Sequence, residues 1–70
     1  MTNYQLTILR TIAAHQPILK EDLYRLSSIL SKDSQNYQLK NLRKQGYIQF
    51  ERKRGPVWLT MRGAEMLDEI

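Results

Sequence analysis

Within residues 36–44 the chain gathers Asn36, Tyr37, Lys40, Asn41, Arg43 and Lys44. A carboxamide offers a donor and an acceptor side by side, which matches adenine in the major groove. Ammonium and guanidinium groups match guanine edges and phosphate oxygens. The chemistry these residues suit is recognition of a polyanion, and of nucleic acid in particular. Bond-making chemistry finds little support. There is no cysteine, and His15 is the only histidine, so neither a thiolate or histidine metal site nor a histidine-based triad is expected. The adjacent carboxylates Glu21 and Asp22 diverge by about 100° on a helix and do not converge on a substrate. They read as helix-start charges. No glycine-rich phosphate loop is present. The expectation is a non-enzyme without cofactor or metal.

The element that must carry these groups is a helix over 32–45. Leu39 and Leu42 are three apart and share its inner side. Asp33, Asn36, Tyr37, Lys40, Asn41 and Lys44 fall on the far side. Ser31 suits an N-cap. Asp33 in the first turn and Lys44 in the last complement the helix dipole. Gly46 can take the left-handed conformation that closes a helix. Gln35 lies on the leucine side, as a cap or buttress. Ser34, Asn36, Tyr37 and Lys40 are the candidates for base contact.

Positive charge is concentrated in the same region. Net charge is +4. Residues 32–54 hold seven basic against two acidic side chains, while the remainder of the chain is slightly acidic. Such a local basic surface is the footprint of a polyanion binder. After Gly46 the periodicity changes from 3.6 to 2. Tyr47 to Glu51 reads as a strand, residues 52–56 as a turn, and Val57 to Thr60 as the returning strand. The result is a hairpin tipped by Arg52, Lys53 and Arg54. With Lys32, Arg43 and Lys44, these are the candidates for phosphate contact.

The remaining elements supply a core. A first helix runs to about His15, capped by Asn3, with Leu6, Leu9, Ile12 and Ala13 inward and Tyr4 and Ile8 widening the stripe. Pro17 stops it. Ile18 and Leu19 read as a short extended link able to pair in a sheet. A second helix, Lys20 to about Ser27, turns Leu23 and Leu26 inward. A turn over 27–30 follows, anchored by Ile29 or Leu30. Thr60 caps a last helix, 61 to about 69, whose Ala64, Met66 and Leu67 pack on the first; Ile70 is either exposed or used in a dimer. Seventy residues make one domain, 1–70, with a small core. No apolar run approaches the roughly 20 residues of a membrane span, and the N-terminus does not read as a secretory signal. A cytoplasmic location is expected.

Helix, helix, polar helix, hairpin and helix give a mainly α fold with a small β-hairpin (α+β). It resembles a winged helix-turn-helix domain with a three-helix core, a wing and a short C-terminal helix. The run Leu39-x-x-Leu42-x-x-x-Gly46-x-Ile48, followed by Leu59-Thr60-x-x-Gly63, is similar to the pattern of MarR-like and PadR-like regulators. That resemblance implies sequence-specific binding of double-stranded DNA by a small transcriptional regulator. The 32–45 helix would enter the major groove and the 52–56 wing would lie on the phosphate backbone. A homodimer on a two-fold symmetric site is an accompanying expectation, and no small-molecule effector is evident. A second resemblance, to the Z-alpha domains that bind left-handed nucleic acid, rests on Lys32, Asn36, Pro56 and Trp58. The stacking tyrosine of that family falls on Lys40 and its arginine on Tyr37. A third reading is a winged helix that binds an acidic protein within a larger assembly.

Overall fold

The computed structural model describes residues 1–27, 31–51 and 55–69. Among these residues the order is α1 (Asn3–His15), β1 (Ile18–Leu19), α2 (Lys20–Ser27), α3 (Lys32–Lys44), β2 (Ile48–Gln49), β3 (Pro56–Leu59) and α4 (Met61–Asp68). The strands form one antiparallel sheet in the order β1-β3-β2. Ile18 faces Val57 and Ile48 faces Leu59, so the short link after α1 becomes the third strand of the wing's sheet.

The core draws on every element before α4. Ile8, Leu9 and Ile12 come from α1, Leu23 from α2, and Leu39 and Leu42 from α3. Ile18, Ile48 and Val57 come from the strands, with Tyr47 and Phe50 flanking β2. Met66 and Leu67 of α4 pack on the edge of this cluster.

Several sequence expectations shift at their margins. The N-cap of α1 is Thr2, not Asn3. Thr2 Oγ1 accepts from the Gln5 backbone, and the Gln5 side chain accepts from the Thr2 backbone, a reciprocal capping box. The inner stripe of α1 centres on Ile8, leaving Tyr4 and Ala13 exposed. Leu26 is exposed as well, since the last turn of an eight-residue helix extends past the cluster that buries Leu23. Ala64 faces solvent, and Met66 and Leu67 make the contact to the core. The wing strands are shorter than the alternation implied. Ile29 and Leu30 of the expected turn, Arg52, Lys53 and Arg54 of the expected wing tip, and Ile70 lie outside the described residues.

Two local devices set the pose of α3. At its end, Gly46 adopts φ 86°. Gly46 N–H donates to Arg43 O at 2.9 Å and Tyr47 N–H to Leu42 O at 3.0 Å, the paired bonds of a Schellman closure. Near its start, Gln35 is the buried polar side chain among the described residues. Its Nε2 donates to Lys20 O at 3.1 Å, and its Oε1 lies 3.5 Å from the Ser27 hydroxyl, which itself donates to Leu23 O. Gln35 therefore ties α3 to both ends of α2. Gln35→Leu keeps the volume but removes the bond to Lys20 O. We expect a loss of about 1 kcal/mol, read from the urea midpoint at unchanged m-value.

Candidate nucleic-acid interface

The α3 helix presents three sides. Gln35, Leu39 and Leu42 face the core. By the helical repeat, positions 32, 36, 40 and 43 share one flank. That flank opens onto a groove of about 940 Å³, whose opposite wall is the start of α2 and the base of the wing. Lys32, Asn36, Lys40 and Arg43 line it from α3, Lys20 and Tyr24 from α2, and Phe50 and Glu51 from the wing. Four cations thus surround the groove, against the carboxylates Glu21 and Glu51.

Side-chain contacts shape this surface. Lys32 Nζ stands 5.5 Å from the Tyr24 ring centroid. Lys20 Nζ stands 4.0 Å and Arg43 Cζ 4.6 Å from the Phe50 ring centroid. Arg43 Nε donates to Gln49 Oε1 at 3.2 Å, and the same oxygen accepts from the Phe50 backbone. The wing's first strand and the last turn of α3 are in this way fastened together through polar groups.

The structure brings some of the candidate residues together and separates others. Lys32, Asn36, Lys40 and Arg43 share the groove, and all four are exposed. Tyr37 projects from the outermost side of α3, 64% exposed, and Lys44 is exposed one turn from Lys40. Ser34 lies toward the α1 flank. Its backbone N–H donates to Ser31 Oγ, and the two hydroxyls are 3.1 Å apart, so it takes part in the N-cap. Nearby, Gln38 accepts from Gln5 of α1 at 3.1 Å. The phosphate candidates Arg52, Lys53 and Arg54 are outside the described residues, which place Glu51 before them in the groove wall and Gly55 after them.

Lys20 and Phe50 were not singled out as site residues by the sequence. The usable signal was the sheet-forming pair Ile18-Leu19. Its pairing with β3 carries Lys20 to the foot of the wing.

The helix-turn-helix pair, the sheet order and the hairpin following α3 together define a winged helix-turn-helix domain. Its fold is MarR-like. It is similar to NadR, solved in complex with 4-hydroxyphenylacetate, at 28% identity and TM-score 0.89 over 99% of this chain and 52% of that one. It is similar to MarR of Staphylococcus aureus, solved with salicylate and kanamycin, at 30% identity and TM-score 0.85 over 97% of this chain and 48% of that one. The PcaV transcriptional regulator of Streptomyces coelicolor shares the fold, at 16% identity and TM-score 0.90 over 97% of this chain and 51% of that one. The chain spans about half the length of these solved structures. No protein-family model and no curated protein matches it.

Among the described residues, no helix is long and apolar enough to cross a membrane, and no three His, Cys, Asp or Glu side chains gather as a metal site. All three of these similar structures were solved with ligands, PcaV with its natural ligand. The sequence reading that no effector is evident therefore does not extend to those neighbours.

Proposed function

We propose that this chain binds double-stranded DNA in a sequence-specific manner as the DNA-reading domain of a small, non-enzymatic transcriptional regulator acting in the cytoplasm. The observation that carries this reading is the shared groove. Asn36 and Lys40 on α3 open onto the same concavity as Phe50 and Glu51 at the foot of the basic wing. A helix seated in the major groove has phosphate backbone on both sides, and a wing beside it meets that backbone. The MarR-like fold and the PcaV likeness are consistent with it.

In this reading Asn36 addresses adenine through two hydrogen bonds and Lys40 a guanine edge, with Tyr37 and Ser34 near the bases. Lys32, Arg43, Lys44, Arg52, Lys53 and Arg54 hold phosphates. A single module of this size covers limited DNA, so a homodimer on a two-fold symmetric site is part of the proposal. Selection of duplexes from a random pool tests it by returning a defined, repeated half-site. Asn36→Ala should then relax preference at one base pair of that half-site by about 1–3 kcal/mol while leaving the others intact. Uniform recovery of all sequences would refute the specific reading.

A further inference from the structure

Phe50 is a large aromatic side chain, only 7% exposed, yet its ring borders a cationic groove rather than the aliphatic centre alone. Lys20 of α2 and Arg43 of α3 both reach this one ring, at 4.0 Å and 4.6 Å from its centroid. Cations over an aromatic ring are attracted by its quadrupole. Two cations held at one ring present their combined positive charge to an anion that enters the groove. The guanidinium is further oriented because its Nε is engaged by Gln49 Oε1, leaving its terminal N–H groups for an outside acceptor.

Resting on the DNA reading above, we infer that Lys20, Arg43 and Phe50 form a clamp for one backbone phosphate of the strand that runs between α3 and the wing. Lys20 and Arg43 touch the phosphate, and Phe50 is a positioning residue that holds both. The clamp draws its two cations from different helices of the helix-turn-helix pair. It therefore accepts a phosphate only when α2 and α3 keep their mutual pose, which Gln35 fixes through Lys20 O. Glu21 and Glu51 line the same groove, and both are exposed, so solvent weakens their opposition to an anion.

The test is fluorescence anisotropy with a mixed-sequence duplex, titrated at several salt concentrations from roughly 50 to 200 mM. Each phosphate contact contributes about 0.9 to the slope of log K against log salt. Lys20→Met and Arg43→Met should each flatten the slope, and the two together by about one, because they share a single phosphate. Phe50→Leu should flatten it by nearly as much as the double variant, and Phe50→Trp, which keeps an aromatic face, should restore it. Thermal unfolding of each variant separates binding from folding, and Lys20→Met reports on the clamp without altering a core residue. If the slope is unmoved in Lys20→Met while Lys32→Met lowers it, the clamp is refuted and the DNA reading stands. If the unaltered chain binds no duplex, the DNA reading falls and takes the clamp with it.

Discussion

Gly63→Ala should be among the most destabilising single substitutions in this chain, removing about 3 kcal/mol or more. In an exposed helix interior, alanine in place of glycine is ordinarily stabilising by up to about 1 kcal/mol. Here the sign reverses. A Cβ at position 63 would stand 2.0 Å from Tyr47 O and 3.0 Å from Tyr47 C, both backbone atoms that no side-chain rotation can move. The same carbonyl accepts from Thr60 N–H at 3.1 Å. Thr60 Oγ1 donates to Gly46 O at 2.5 Å and accepts from Gly63 N–H at 3.1 Å. The start of α4 is thus bolted to the turn that ends α3. Pushing it away breaks those bonds and strips Met66 and Leu67 from the core. Overpacking of this kind usually costs about 1–3 kcal/mol, and immovable backbone places this site at or beyond the top of that range. A domain of this size has a total stability of only about 4–10 kcal/mol. A urea midpoint near that of the unaltered chain would show that α4 can shift freely, against the geometry described.

The second large effect concerns binding. Replacing Arg52, Lys53 and Arg54 together with Ala should weaken association with every duplex by about 100-fold, at roughly 1 kcal/mol per lost contact. It should also flatten the salt slope by nearly three. The three cations join Glu51, which lines the groove, to Gly55 at the head of β3. In the proposed reading they hold phosphates of the backbone strand beside the wing. Because phosphates carry no sequence information, discrimination between matched and mismatched duplexes should survive. Loss of discrimination at unchanged affinity would instead place these residues at base edges. Anisotropy titrations on one matched and one mismatched duplex distinguish the outcomes.

How much of this was legible beforehand depended on the range of the interaction. Caps and closures are local, and Ser31, Gly46 and Thr60 could be read from residue type and spacing. Each adopts the expected role. Thr2 and Asn3 are both good caps, and only the reciprocal bond from Gln5 decides between them. Helical periodicity located the centres of the buried stripes but not their edges. Ala13, Leu26 and Ala64 lie at such edges, where burial depends on what packs alongside. The leucine-side placement of Gln35 was legible, whereas its bond to Lys20 O spans fifteen positions and was not. The Thr60-x-x-Gly63 spacing was recognisable as a pattern. Its cause, a carbonyl of Tyr47 pressed against position 63, exists only once α4 is folded back. The candidate site divided in the same way. Asn36, Lys40 and Arg43 were found from α3 alone, but Lys20 and Phe50 join them through sheet pairing that residue spacing within one helix cannot show.

The claim on which the rest depends is that the polar flank of α3 and the foot of the wing act as one DNA-facing surface. Amide chemical-shift mapping during titration with a mixed-sequence duplex at low salt tests it most directly. The expected result is a contiguous set of perturbed amides over Lys20, Lys32, Asn36, Lys40, Arg43 and Phe50, fading as salt rises, with the exposed side of α4 around Met61 and Ala64 unchanged. Perturbations centred on α1 and α4, or none on α3, would contradict it.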